Sequence, residues 1–181
     1  MSGSIRFAFV VHCHQPPDNL PWATEAVYQQ AYLPLLETMA RYPGLRFCLH
    51  LSGALLEWLR EAHPEYVSKV RELVEGGRLE LLGGAAYEPI LGLIPPRDAL
   101  AQVEHLNRLL LEMFSYQPRG LWLPERVWEP HLPSVLAEAG MSYVLLDGEN
   151  LVPSGLPEDR CLGSVVTEHE GERLVVFPIN A

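Results

Sequence analysis

The sequence predicts an α/β fold in which parallel β-strands alternate with α-helices along the chain. Short apolar runs rich in β-branched and aromatic residues recur, as is typical of strands that are buried on both faces. Between these runs, apolar residues are spaced as on one face of a helix, and Gly or Pro marks most of the boundaries. Up to Asp147 the order is βαβαβαβαβ, which requires parallel strands joined by right-handed crossovers.

The first predicted strand, residues 5–11, is a continuous apolar run with one charge near its start. Four further strands of the series are predicted at residues 46–51, 78–82, 120–123 and 142–146. After them, residues 164–167 and 173–177 flank a polar segment that contains a glycine. This last pattern predicts a C-terminal β-hairpin.

The predicted helices have recognisable starts and stops. In chain order they are residues 23–41, two segments that meet near Pro64 and end before Gly76, a long segment that starts near Asp98, and residues 133–140. An aspartate suits a helix N-terminus because its carboxylate accepts hydrogen bonds from unpaired backbone N–H groups. Pro133 suits a first turn, where its missing N–H costs nothing, and Gly140 suits the end of a helix.

Two architectures fit this order of elements, an open doubly wound sheet and a (β/α) barrel. A dinucleotide-binding doubly wound sheet carries Gly-x-Gly-x-x-Gly after its first strand, and this sequence has no such motif there. A complete barrel normally needs about 250 residues, so a barrel within 181 residues would be unfinished. The sequence contains no internal repeat and no low-complexity linker, and we therefore predict one domain or part of one.

Composition argues against several classes of partner. Thirteen basic residues against 23 acidic ones give a net charge of −10, and such a surface repels the phosphates of nucleic acids. No apolar run reaches the roughly 18 residues of a membrane-spanning helix, and the N-terminus lacks a signal-peptide pattern. Cys13, Cys48 and Cys161 are widely spaced and suit a reducing compartment. We therefore expect a cytoplasmic protein without a nucleic-acid or membrane partner.

Polar and ionisable residues follow nearly every predicted strand. In a parallel α/β fold the active site lies at the C-terminal ends of the strands, where such residues meet. The residues at these ends are, strand by strand, His12 and His14, His50 and Ser52, Glu80 and Glu88, Glu125 and Arg126, and Asp147. A full set of this kind indicates an enzyme, although for Asp147 alone the start of an Asp-Gly turn is the simpler interpretation.

His12 and His14 are two residues apart at a strand end, so their side chains point to the same face. Gln15-Pro16 directly after them suits the mouth of a site more than a core. Three interpretations remain open from spacing alone. The pair could contact a polar ligand, could be two core histidines bonded to backbone, or could hold zinc.

Residues 120–130 contain two tryptophans, two glutamates, an arginine and two prolines. Tryptophan rings stack on the apolar faces of sugars, and a carboxylate beside them can attack or stabilise an anomeric carbon. We expect Arg126 to help keep Glu125 ionised, as a nucleophile requires. The alternative is that Trp122 and Trp128 are core residues and that Glu125 and Arg126 form a surface ion pair.

Glu80 interrupts an otherwise apolar strand between Leu79 and Leu81. If the two leucines face the helices, Glu80 faces the interior of the barrel, where an unpaired charge would be costly. We therefore expect a partner or a ligand for its carboxylate. The alternative is an edge strand on which Glu80 faces solvent.

The sequence resembles glycoside hydrolase family 57 in three segments that occur in the same order as the first three conserved regions of that family. These are residues 12–16 (HCHQP), residues 77–84 (GRLELLGG) with 87–89 (YEP), and residues 122–130 (WLPERVWEP). The third segment and its continuation are most similar to the 4-α-glucanotransferase and α-amylase group.

This resemblance implies an incomplete (β/α)7 TIM-like barrel and retaining chemistry on α-1,4-glucans. It implies that Glu125 is the catalytic nucleophile and that His12, His14, Glu80 and Trp122 bind the sugar at the cleavage subsite. No metal and no other cofactor is expected, which favours sugar binding over zinc for the two histidines.

One part of the family's machinery has no counterpart here. Retaining enzymes use two carboxyl groups about 5–5.5 Å apart, and the family's acid/base aspartate belongs to a fourth region that nothing after Asp147 resembles. We therefore expect residues 1–181 to be the N-terminal portion of a single catalytic domain that is inactive alone. An α-glucan or maltooligosaccharide is the expected substrate, and an oligomer would be one way to cover an unfinished barrel.

Two other functions remain open from the sequence. One is a metal-dependent, deacetylase-like hydrolase in which His12, His14 and a carboxylate hold the metal. The other is a non-catalytic glucan-binding remnant that keeps the sugar site without the acid.

Overall fold

The chain folds into alternating strands and helices, seen in a computed structural model that describes residues 7–153, 155–157, 161 and 163–179. The strands are β1 (Val10–Cys13), β2 (Phe47–Leu51), β3 (Leu79–Leu82), β4 (Gly120–Trp122), β5 (Tyr143–Asp147), β6 (Val165–His169) and β7 (Glu172–Ile179). The helices are α1 (Pro21–Val27), α2 (Leu33–Ala40), α3 (Gly53–Ala62), α4 (Pro64–Glu75), α5 (Pro96–Phe114) and α6 (Leu132–Glu138). This confirms the predicted α/β class.

The strands lie side by side in nearly the order in which they occur in the chain. β1, β2 and β3 pair in parallel, and so do β4, β5 and β7, while β6 pairs antiparallel with β7. An isolated bridge between Gly83 and Leu121 joins β3 to β4, with hydrogen bonds from Gly83 N to Gly120 O of 2.8 Å and from Trp122 N to Gly83 O of 2.9 Å. In a doubly wound sheet the strand order reverses at one point, and the order of the described strands shows no such reversal.

The first strand begins later than predicted. The apolar run 5–11 predicts a strand throughout, but β1 starts at Val10, where pairing with Cys48 of β2 begins, and it continues to Cys13. Residues 5 and 6 lie outside the described residues, and Phe7 is 85% exposed, so the run is not buried on both faces. The partner strand therefore sets the bounds of β1, and His12 lies within the strand rather than after it.

The predicted helix 23–41 is divided into α1 and α2 by a π-helical segment, Tyr28–Tyr32. Pro34, at the second position of α2, has no N–H to donate and its ring would clash with the carbonyl four residues earlier. A local i→i−5 pattern, in which Leu33 N–H bonds to Tyr28 O, accommodates the proline within a continuous helical path.

Two apolar clusters pack the helices against one face of the sheet. The first packs β1–β3 against α2, α3, α4 and the end of α5, and includes Leu79 and Leu81. The second packs β4, β5 and β7 against α6 and the start of α5. Because side chains alternate along a strand, Glu80 lies on the opposite face of β3 from the helices, as predicted. No helix within the described ranges combines the length and apolar character that crossing a membrane requires.

Candidate active site

Aromatic rings from three strands stack at the C-terminal ends of the sheet. His12 on β1 lies parallel to Trp122 at the end of β4, with ring centroids 4.6 Å apart, and its ring centroid is 5.0 Å from that of His50 on β2. The register of β1 against β2 pairs His12 directly with His50, so that both side chains leave the same face. His14 extends the group, at 6.2 Å from the His12 ring. The structure thus brings together His12, His14 and Trp122, as the sequence predicts.

The two central imidazoles share a hydrogen bond. Nδ1 of His12 is 2.9 Å from Nδ1 of His50, and the His50 side chain is fully buried whereas His12 remains accessible. Desolvation, followed by the charges of His14 and Arg126, lowers the pKa of His12. Burial likewise holds the pKa of His50 well below its usual value. Both rings are therefore neutral near pH 7, and each presents one donor and one acceptor nitrogen.

Glu125 lies on a turn with an uncommon backbone conformation. The turn Pro124–Arg126 follows β4, and both Glu125 and Arg126 have left-handed φ values, 51° and 52°. Such conformations are unfavourable for residues with a Cβ and are concentrated at functional sites. The Glu125 side chain is exposed.

The charge of Glu125 acts on two neighbours. Burial lowers the pKa of His14 and the Glu125 carboxylate opposes this, whereas for Glu88 burial and then Glu125 both raise the pKa. Glu125 therefore shares one electrostatic environment with His14 and Glu88, next to the His12–Trp122 stack.

Arg126 does not form the predicted contact with Glu125. Its Nε is 2.7 Å from Oδ2 of Asp147 at the end of β5, and its guanidinium carbon is 5.7 Å from the centre of the Trp122 ring. The interpretation of Glu125 and Arg126 as an ion pair is therefore wrong, because Arg126 is occupied by the neighbouring strand. Asp147 ends its strand as predicted and also anchors this arginine.

Glu80 lies on the same face of the sheet as the stacked rings, two residues further towards the N-terminal ends of the strands. Its strand partner is Cys48, two residues before His50, and the Cys48 sulfur is 3.8 Å from Oε2 of Glu80. Tyr143 on β5 donates a hydrogen bond of 2.6 Å to Oε1 of Glu80, and burial followed by this contact raises the pKa of Tyr143. The expected partner of the half-buried carboxylate is thus a tyrosine hydroxyl. β3 pairs with β2 and is bridged to β4, so the edge-strand alternative is wrong.

Three further residues complete this environment: His50 and Glu88, which the sequence places at strand ends without a specific role, and Tyr143, for which the sequence predicts no role. Nε2 of His50 is 3.5 Å from Oε1 of Glu88, and the Glu88 side chain is only 9% exposed. Burial and the charge of Glu125 raise the pKa of Glu88 to about 8. The position of His50 two residues after Cys48 was a usable signal, because the two side chains must share a face with those of His12 and Glu80.

The donors of this site are not grouped as a metal centre. Within the ranges that the structure describes, no three His, Cys, Asp or Glu side chains are close enough together to hold a metal ion.

Comparisons with known proteins place nearly the whole chain among carbohydrate-active enzymes. The alpha-amylase 1 of Dictyoglomus thermophilum is 41% identical over 180 residues, which are 99% of this chain and 26% of the relative. The crystal structure of the 4-alpha-glucanotransferase from Thermococcus litoralis superposes with a TM-score of 0.91 at 38% identity, over 95% of this chain and 27% of that one. The chain therefore spans about a quarter of the length of the relatives that it matches.

A more distant likeness concerns the fold alone. The family 4 carbohydrate esterase of Streptomyces lividans matches 81% of this chain and 66% of that one, with a TM-score of 0.53 and 15% identity. The family model for glycosyl hydrolase family 57, in contrast, matches residues 8–181. On the strength of this match and of relatives close to 40% identical, the chain belongs to glycosyl hydrolase family 57.

Proposed function

We propose that the protein to which this chain belongs is a retaining, α-1,4-glucan-active hydrolase or transglycosylase of the α-amylase or 4-α-glucanotransferase type. The observation that carries this proposal is the placement of Glu125. Its carboxylate lies on a left-handed turn beside the His12–Trp122 stack, close enough to alter the pKa of His14 and Glu88. Membership in family 57 supports the substrate class.

In the proposed reaction, Glu125 attacks the anomeric carbon of a glucosyl unit. The bond from that carbon to the glycosidic oxygen breaks, a bond to the carboxylate forms, and an acid carboxyl protonates the departing glucan. Water or the hydroxyl of a second glucan then attacks the glycosyl-enzyme and releases Glu125. Water as the acceptor gives hydrolysis, and a glucan as the acceptor gives transfer.

The acid/base carboxyl must lie about 5–5.5 Å from Glu125 in a retaining enzyme. In keeping with the resemblance to family 57, we propose that it is an aspartate outside residues 1–181. This chain then contributes the nucleophile and one side of the sugar site as the N-terminal portion of a single catalytic domain.

Sugar binding is assigned to His12, His14, Glu80 and Trp122. His12 and His14 offer imidazole nitrogens for sugar hydroxyls, and His12 is accessible for this purpose. Trp122 supports His12 by stacking and offers further ring surface beside it. Glu80 lies deeper, and the hydroxyl of Tyr143 holds its carboxylate in a fixed position from which the second oxygen can accept a bond.

We further propose that the sheet is part of an incomplete (β/α)7 barrel. Six parallel strands that follow one another without reversal, with polar side chains at one end and helices on one face, support this architecture.

Replacement of Glu125 tests the nucleophile. In the full-length protein, Glu125→Gln should reduce kcat on maltooligosaccharides by roughly a thousandfold or more, because no covalent intermediate can form, while glucan affinity stays within a few-fold. Glu112→Gln, an exposed change on α5, is the matched control and should behave as wild type. Mass spectrometry after treatment with a fluorinated glucosyl fluoride should locate the label on Glu125.

Two results would contradict this assignment. One is retained turnover in Glu125→Gln. The other is stoichiometric zinc whose removal by a chelator stops turnover, which would favour the metal-dependent, deacetylase-like alternative.

A further inference from the structure

Behind the accessible His12 lies a buried chain of hydrogen-bonding groups that no step of the proposed reaction uses. Nδ1 of His12 meets Nδ1 of His50 at 2.9 Å, and Nε2 of His50 faces Oε1 of Glu88 at 3.5 Å. This series of hydrogen-bonding groups therefore runs from His12 at the sugar site through the fully buried imidazole of His50 to the nearly buried carboxyl group of Glu88.

The contact between His50 and Glu88 leaves hydrogen-bonding atoms without a partner. Nε2 of His50 and Oε1 of Glu88 are both buried, and neither has a hydrogen-bond partner within the described residues. Leaving buried polar atoms unpaired is costly, and these two atoms are 3.5 Å apart, a few tenths of an ångström beyond the usual hydrogen-bond range. The backbone of Glu88 is left-handed, with φ of 55°, a conformation that is uncommon outside glycine.

We propose that Glu88 is a positioning residue that acts through His50 to decide which nitrogen of His12 carries the proton. The inference rests on the proposed function, since His12 is taken to contact the sugar. It follows from a simple constraint. When two neutral imidazoles meet through their Nδ1 atoms, one Nδ1 must donate and the other must accept.

A protonated Glu88 donates to Nε2 of His50, so the His50 proton sits on Nδ1 and is donated to His12. His12 then carries its own proton on Nε2 and offers the sugar a donor. When Glu88 is ionised, the direction of both hydrogen bonds is reversed. The carboxylate accepts a hydrogen bond from Nε2–H of His50, and Nδ1 of His50 accepts one from Nδ1–H of His12. Nε2 of His12 is then an acceptor for the sugar.

The surroundings of Glu88 favour the protonated form at neutral pH. Burial, followed by the charge of Glu125 on the turn after β4, raises its pKa to about 8. Glu88 faces His50 on β2, and His50 stays neutral because burial lowers its pKa. His12 is also influenced by His14 and Arg126, which lower its pKa further and keep it neutral. His12 is therefore a donor below about pH 8 and an acceptor above it.

The experiment is nitrogen NMR on the full-length protein with ¹⁵N-labelled histidine, in which a His12→Asn spectrum identifies the His12 signals. In wild type the His12 ring should change tautomer with a midpoint near pH 8. The change should be absent in Glu88→Gln, which has the same shape and does not titrate. Glu112→Gln serves as the control and should keep it.

Activity gives a second readout. On maltoheptaose, kcat/KM of the wild type should decline above about pH 8. Glu88→Gln should lack this alkaline limb and keep a value at pH 7 within a few-fold of wild type, because its amide can donate to Nε2 of His50 as the protonated carboxyl does. Gly84→Ala is an independent variant, because a Cβ at Gly84 would overlap Nε2 of His50 and displace that ring. It should also abolish the change of tautomer.

A single His12 tautomer from about pH 6 to pH 10 in wild type, or a tautomer change that persists in Glu88→Gln, would overturn the proposal. These results are separable from the fate of the proposed function. A normal tautomer change in a protein that neither binds nor processes glucans would support the relay and count against the glucan activity.

Discussion

Three ionisable residues around the site, Glu88, Glu125 and Arg126, share a left-handed backbone conformation, with φ between 51° and 55°. Each costs of order 1 kcal/mol or more and persists only where the surrounding structure fixes it. Arg126 is fixed by Asp147, and Glu125 follows Pro124, whose ring restricts the turn. At the scale of single residues, backbone strain is thus concentrated at ionisable residues of the site.

A second residue-scale arrangement lies away from the site, at the junction of α3 and α4. His63 stacks on Tyr28 with ring centroids 3.7 Å apart and bonds to Glu25 at 2.8 Å and to Glu65 at 3.0 Å. Burial lowers the pKa of His63, but the hydrogen bonds that it donates to the carboxylates of Glu25 and Glu65 outweigh this effect, so that the net effect is a raised pKa.

This junction predicts a pH-dependent contribution to stability. Because the pKa of His63 is higher in the folded than in the unfolded state, its contribution is fully present below about pH 6.5 and is lost as the pH rises through the folded pKa. We expect His63→Gln to lower Tm by about 2–4 °C at pH 5.5 and by less at pH 8.5. Calorimetry of both proteins at the two pH values measures this, and an equal Tm difference at both would contradict it.

The sequence indicates specific roles for site residues that occur in short polar or aromatic segments. It places His50 and Glu88 at strand ends but does not indicate that they contact each other. His12, His14, Trp122 and Glu125 stand out because each occurs in a short polar or aromatic segment at a strand end. His50 and Glu88 acquire a role only when β1, β2 and the loop after β3 are brought into register. Residue type and spacing carry no information about that contact.

At the scale of elements, the contact between β4 and β5 determines how Glu80 is held. Gly120 on β4 pairs with Tyr143 on β5, and a Cβ at Gly120 would overlap the tyrosine ring. The absence of a side chain at Gly120 therefore allows Tyr143 to reach across β4 to Glu80 on β3.

Gly120→Ala should accordingly destabilise the protein by about 1–3 kcal/mol, as is typical of overpacking in a well-packed region. Urea unfolding measures this free energy. Gly44→Ala is a matched control, because a Cβ at Gly44 meets no atom within 4 Å, and its free energy of unfolding should stay near that of wild type. A Gly120→Ala protein as stable as the control would show that Tyr143 can move without cost.

Element boundaries are predictable where local chemistry sets them and unpredictable where a partner does. Pro64 begins α4 as its missing N–H suggests, and the hairpin β6–β7 turns at Glu170-Gly171 as the sequence predicts. The start of β1 depends on pairing with β2, and the π-helical segment before Pro34 relieves a clash that helical periodicity does not reveal.

At the scale of the whole molecule, the chain covers about a quarter of relatives that share its family, and the proposed acid/base group lies outside it. We therefore predict that residues 1–181 alone release or transfer little or no sugar from maltooligosaccharides. Chromatography of the products measures this. Robust hydrolysis or disproportionation would show that residues 1–181 already contain the acid, and glucan affinity without turnover is the expected result.

The order of the strands has a consequence for how the molecule forms. Each parallel strand from β2 to β5 lies beside the one that precedes it in the chain, so every new strand finds an edge already in place as synthesis proceeds. Both strands that carry the imidazole pair, β1 and β2, precede residue 125 in the chain and can pair before it is made. The energetically unfavourable turn that carries Glu125 can thus form against strands that are already paired.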